Sequence, residues 1–165
     1  MPEYNIAFAR LDQLMPFFHV SMVTLFIGLQ AGLWLVATYF MKSKLKDALK
    51  YPLLMHILRR FGICIVILLV IIALTSMTVG HSGGLMKSAN PMAKAILATK
   101  WALEIFLALN LGYMFYHYKK AFKAFKAHEI LEMQESLVVV IYYFIPLNLV
   151  VSFIAVYLGI AYKEF

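Results

Sequence analysis

Four stretches of the chain, at residues 16–41, 57–79, 93–118 and 137–162, are apolar almost throughout, and nothing constrains the fold more. Each is about as long as a helix must be to cross the hydrocarbon of a bilayer, roughly 20 residues at about 1.5 Å apiece. A spanning segment has no water to bond its backbone, so each run reads as an α-helix. Composition agrees: 64% of the 165 residues are hydrophobic and 14% are charged, with mean hydropathy +0.83. A soluble domain is nearer half apolar and a quarter charged, and a globule this small cannot hide the excess. The expected fold is all-α, an integral membrane bundle of four transmembrane helices forming a single domain over residues 1–165, with the lipid bilayer as its solvent.

The charges order these helices. Lys42, Lys44, Lys46, Lys50, Arg59 and Arg60 lie in the first connection, and Lys119, Lys120, Lys123 and Lys126 in the third. Only Arg10, Lys87, Lys94, Lys100 and Lys163 are left for the opposite side. The positive-inside rule then places both termini outside, in the periplasm of a bacterial cell whose inner membrane carries this multi-pass chain. The formal net charge of +7 flanks the apolar runs and forms no basic face of its own, so nucleic acid is not an expected partner. Cys64 is a lone cysteine within an apolar run, which leaves no disulfide framework. The first run is too long for a cleavable signal peptide and is expected to stay as a helix. No phosphate loop, serine nucleophile motif or pair of catalytic carboxylates is recognisable, so hydrolase and nucleotide chemistry find no support.

Two connections have character of their own. "GHSGGLMKSANP" carries the glycine and proline punctuation of an irregular loop. "KKAFKAFKAHEILEMQES" reads as an amphipathic continuation of the third helix along the membrane interface, below a belt of Tyr113, Phe115, Tyr116 and Tyr118.

Polar residues within the spans come next. Gln30, Asn110 and Asn148 fall near mid-membrane, where an amide turns inward and bonds a partner. Pro146 removes a backbone donor two residues before Asn148 and is expected to kink the fourth span. Lys100 and Glu104 are one helical turn apart in the third span, spaced to pair with each other. An acid embedded in a membrane faces a cavity or a partner.

"MPFFHVSM" places Met15, His19 and Met22 on one helical face. Met77 and His81, also one turn apart, end the second span on the same side of the membrane, with Met86 and Met92 following. Imidazole with thioethers selects soft late metals, above all Cu(I); haem b takes one or two imidazoles, with Met as an alternative axial ligand. Against a site stands the even spread of methionine: Met41, Met55 and Met114 lie towards the other face, where Met serves as adaptable packing, alongside His56, His117 and His128. His56 and His81 are 25 residues apart on one helix, roughly 37 Å, which excludes a closely stacked pair of haems between them.

"HVSMVTLFIG" sets His19 seven residues before Phe26 and nine before Gly28; "LRRFGICIVILLVIIALTSM" opens the second span on a basic pair; "ATKWALEIFLALN" carries Lys100. Together these resemble the copper-resistance D-type membrane domain and, more distantly, the four-helix membrane protoporphyrinogen oxidase that binds haem b. The resemblance covers about residues 15–125. The aromatic of that pattern is typically Trp and here is Phe26, and the arginine that ends the oxidase's first span is missing from "LWLVATYFMKSK". What carries over is His19, Gly28, Arg60 and Lys100.

Three functions are therefore expected of such a chain. The first is copper handling at a redox-active metal centre on the periplasmic side, with His19, His81, Met15, Met22 and Met77 as candidate ligands. The second is a haem b electron-transfer protein or oxidoreductase, with His19 axial and Arg60 and Lys100 pairing the propionates. The third is a cofactor-free scaffold or accessory subunit that meets a membrane-protein partner or a second copy of itself.

Overall fold

The computed structural model describes residues 6–81 and 90–163, with side chains for residues 14–77 and 90–162. Helix α1 (Ile6–Lys42) is followed by α2 (Asp47–His81) and α3 (Pro91–Lys126). The fourth span is built of α4 (Ile130–Val138), one π-helical segment (Val139–Phe144) and α5 (Ile145–Lys163). Among the described residues four helices are long and apolar enough to cross a membrane, and there is no strand. The molecule is an all-α membrane bundle. Its first three helices are each roughly 52–55 Å long, well beyond a hydrocarbon core of about 30 Å. Hydropathy registers only the embedded part, which is why α1, α2 and α4 begin seven to ten residues before the spans read from sequence.

Neighbouring helices run antiparallel. The α1–α2 hairpin is the most extensive contact, and α5 packs against both α1 and α3. The fourth span is accordingly the most enclosed. One end of the bundle holds the lysine-rich connections (the basic end); His19 lies near the other.

Short devices fix the helix ends. Asn90 caps α3, its Oδ1 accepting from the Met92 N–H at 2.9 Å, and Pro91 stands at the first helical position, where no N–H is needed. At the basic end Lys50, almost fully buried, donates from Nζ to the Met41 carbonyl at 3.0 Å and lies over the Tyr51 ring. An ammonium there satisfies one of the last carbonyls of α1 and meets the negative end of its dipole. Tyr51 Oη in turn accepts from Gln134 Nε2, joining α2 to α4.

The segment expected to continue α3 along the interface does so only as far as Lys126. Helix α3 stops at Lys126 and the chain reverses within three residues. His128 adopts φ 60°, the left-handed conformation that ends a helix. The His128 N–H reaches the Phe125 carbonyl and the Glu129 N–H reaches that of Ala124. Met133, Ser136 and Leu137 are then buried as α4 packs back on α3, where Ala121 and Ala124 allow close approach. A Lys120–Glu132 ion pair of 3.3 Å spans the hairpin. The amphipathic pattern was real, but part of its apolar face, at Ala121, Ala124, Met133 and Leu137, meets protein, while Phe122, Ile130 and Leu131 stay exposed.

Pro146 is accommodated by the π segment. The Ile145 N–H bonds the Val140 carbonyl five residues back, and the α-helix restarts with Pro146 in its first turn, where its missing donor is harmless.

A left-handed non-glycine residue costs roughly 1–2 kcal/mol, partly offset in glycine by the entropy of the unfolded chain. His128→Gly should therefore stabilise the protein by about 1 kcal/mol and His128→Val should destabilise it, read as opposite shifts in the thermal midpoint in detergent.

Candidate functional site

The geometry around His19 follows from one threonine. His19 is half-buried, and its Nδ1 lies 2.8 Å from Thr75 Oγ1 on α2. Thr75 has one hydroxyl hydrogen, and its Oγ1 is already 2.9 Å from the Ile71 carbonyl and 3.0 Å from that of Ile72. Inside a membrane helix a threonine usually spends that hydrogen on the preceding turn. With the hydrogen there, Oγ1 accepts from His19, which takes the Nδ1–H tautomer and keeps a lone pair on Nε2; with the hydrogen turned to His19, the tautomer is reversed. A ligating histidine is commonly held in the first way, its second ring nitrogen donating to a fixed acceptor.

Lys100 acts electrostatically on both His19 and Glu104, and Glu104 is hydrogen-bonded to the buried Ser76. The Lys100 ammonium lies against the fourth span, since a Cβ on Gly159 would stand 3.8 Å from Nζ. Glu104 Oε2 is buried with no hydrogen-bond partner. All four spans thus meet in this cluster: α1 through His19, α2 through Thr75 and Ser76, α3 through Lys100 and Glu104, and α5 through Gly159.

The sequence candidates separate around it. His19 and Lys100 come together. Met22, one turn from His19, is partly buried and packs against the core. Met15 and Met77 are about half exposed, at 50% and 49%. The His81 side chain lies outside the described residues, as does Met86. Arg60 is not at this site: it is exposed and fifteen residues before Thr75 on α2, roughly 22 Å along the axis. Among the described residues no three His, Cys, Asp or Glu side chains are grouped to hold a metal ion. Of the candidate thioethers, Met22 lies one helical turn from His19 and packs against the core. A recess of about 420 Å³ lined by Tyr39, Lys42, Ser43, Lys44 and Leu45 lies at the far end of α1 and has no part in this chemistry.

Deeper in the bundle, Asn110 Nδ2 donates to Asn148 Oδ1 at 3.1 Å, and Asn148 Nδ2 points to Met114 Sδ at 3.2 Å. Ser152 Oγ donates to the Asn148 carbonyl. Asn148 is 0% exposed, the centre of the bundle. The amide of Gln30, 2% exposed, has no hydrogen-bond partner at either its nitrogen or its oxygen. Leaving such a group dry in an apolar interior costs roughly 2–7 kcal/mol. His117, on the other side of the amides, sits among Tyr113, Tyr116 and Phe144, its ring nitrogens also without partners.

Sequence reasoning missed Thr75 and Ser76. Their signal was present, as the adjacent hydroxyl residues near the end of an otherwise aliphatic span. Comparison with protein-family models, with curated proteins and with solved structures gave no match.

Two outcomes check this geometry. Nitrogen NMR of histidine-labelled protein should show His19 with a protonated Nδ1 and a lone pair on Nε2, and Thr75→Val should turn that into a mixture of tautomers. Asn148→Leu, which strips the partners from Asn110 and Met114, should cost roughly 1–2 kcal/mol of stability.

Proposed function

We propose that this chain is a metal-handling membrane protein that holds copper at the His19 end of its bundle, with His19 Nε2 as the anchoring ligand and Met22 as its thioether partner. The observation that carries the reading is the 2.8 Å contact of His19 Nδ1 with Thr75 Oγ1, which orients the ring; with the Thr75 hydrogen on the backbone carbonyls near it, Nε2 is left as a neutral donor. A neutral imidazole and a thioether in an apolar shell suit Cu(I), a soft monocation, better than hard divalent ions that want carboxylates. Lys100 and Glu104 nearby carry opposite charges, so the cluster need not repel a cation. In this reading the site is periplasmic, since the lysine-rich connections lie at the other end, and the membrane is the inner membrane. The likeness of "HVSMVTLFIG" and "ATKWALEIFLALN" to the copper-resistance D-type domain points the same way.

One observation favours a second reading. The Lys100 ammonium beside His19 is what a tetrapyrrole propionate would seek, so haem b with His19 as axial ligand fits the same pair of residues. Arg60, at the other end of α2, takes no part in it.

Metal analysis, an absorption spectrum and a Cu(I) titration of the purified protein test both. Copper handling predicts a colourless protein that binds Cu(I) stoichiometrically. Binding should disappear in His19→Ala and weaken roughly 10–100-fold in Thr75→Val, where the ligand keeps its place but loses its orienting partner. A Soret band abolished by His19→Ala and weakened by Lys100→Gln selects haem. A protein that takes up neither, with His19→Ala silent in cells, overturns both and leaves a scaffold.

A further inference from the structure

The unpartnered amide of Gln30 is on the same level as the two asparagines. Two contacts set a reference level at the His19 end, His19 with Thr75 and Lys100 against Gly159, and Lys100 is near enough to act electrostatically on His19. From it Gln30 is eleven residues along α1, Asn110 ten along α3, and Asn148 eleven along the fourth span. At about 1.5 Å per residue all three lie roughly 15–17 Å deeper. The Asn110–Asn148 hydrogen bond confirms the register between α3 and α5. The three amides therefore ring one level of the interior, with α5 packed against both α1 and α3.

This level is closed above and below. Phe26, Leu69 and Leu107 are buried on its His19 side, and Leu33, Ile141 and Ile145 on the other. The layer carries more hydrogen-bonding capacity than it uses. Asn148 Oδ1 keeps a second lone pair after accepting from Asn110, and each amide nitrogen has two hydrogens. Gln30 uses neither its donor nor its acceptor.

We infer that Gln30, Asn110 and Asn148 form an internal binding site for water, enclosed in the middle of the membrane. A buried water is stable where two to four polar groups surround it, and in this layer it meets donors and acceptors from three helices at once. It satisfies Gln30, which the protein alone leaves unpaired, and ties α1 to the α3–α5 pair through hydrogen bonds. The inference does not depend on the metal reading.

Hydroxyl-radical footprinting by X-ray radiolysis, with the full chain in lipid nanodiscs, tests it, because radicals form on bound water and oxidise the side chains beside it. Met114, whose sulfur meets Asn148, is the reporter. Met133, 1% exposed in the core of the basic end, is the dry reference. Leu109→Met adds a lipid-facing reference at the depth of the amides, Leu109 being 68% exposed. Met114 should be oxidised roughly tenfold faster than either reference, as expected of a side chain beside bound water, and should fall to their rate in Gln30→Leu. Should Gln30→Leu fail to accumulate, Asn110→Leu takes its place with the same expectation. Met114 oxidised as slowly as Met133 in the unaltered protein overturns the inference. So does a fast Met114 that neither substitution slows.

Discussion

Inside hydrocarbon every polar group must find its partner within the protein, and the architecture of this bundle follows from how that demand is met. Backbone groups meet it by forming helices. Helix ends need additional groups: the Asn90 carboxamide at the start of α3, the Lys50 ammonium at the end of α1, and a left-handed turn after Lys126. Side chains meet it locally where they can, as Thr24, Thr38, Thr75 and Thr99 do by bonding a carbonyl of the preceding turn. For Thr24, Thr38 and Thr99, whose bonds lie on the exposed surface of the bundle, the bond only satisfies a hydroxyl. For Thr75 the same hydroxyl also reaches across the helix boundary, its Oγ1 2.8 Å from His19 Nδ1, and so orients a side chain 56 residues away.

The two ends of the bundle are built differently. At the basic end Tyr51, Leu54, Met55, Leu58, Ala121, Ala124, Met133 and Leu137 are all buried, and the α3–α4 hairpin closes over them. This end is a packed core of the kind a soluble helical protein has. Towards His19 the buried set thins to Phe26, Leu69, Ile72, Ala93 and Leu107, and polar side chains take up the interior. Close packing resists displacement; a sparse, polar interior can rearrange around a ligand at lower cost. Rigid support at one end and adaptable polar groups at the other is a division that would suit the ion or flat cofactor proposed for the His19 end.

What the sequence revealed and what it hid divide along the same line. The spans were legible because length and hydropathy are local properties; helical spacing put Lys100 and Glu104 in one cluster too, but the direct ion pair expected of them is not formed, the ammonium lying against Gly159. The partnership of Asn110 with Asn148 was expected in kind, since amides in lipid seek partners, but the identity of the pair depends on helix register. The reversal at 127–129 was hidden because His128 is not a residue that announces a left-handed turn, and the amphipathic pattern around it suited an interfacial helix equally well. Arg60 was grouped with His19 by resemblance alone, and helix rise separates them. Thr75 was passed over because a threonine near a helix end is commonplace. Its importance comes from what stands opposite.

The charges at the His19 end explain why such a cluster is tolerable in a membrane. An isolated ammonium or carboxylate is expensive there, while an opposite pair one turn apart on the same helix is close to neutral at short range. Lys100 and Glu104 stand one turn apart and act on each other electrostatically, without a direct ion pair between them, and Ser76 adds a hydrogen bond to the carboxylate. With both charges on α3, the membrane-embedded stretch of α1 from residue 14 to 41 carries none, so His19 has no salt-bridge duty and keeps its ring for other use. If the imidazole were merely a packing residue, an apolar side chain would fill the position without the desolvation cost of two ring nitrogens. The hydroxyl on α2 satisfies one of them. Chemistry at this end of the molecule depends on what occupies the other.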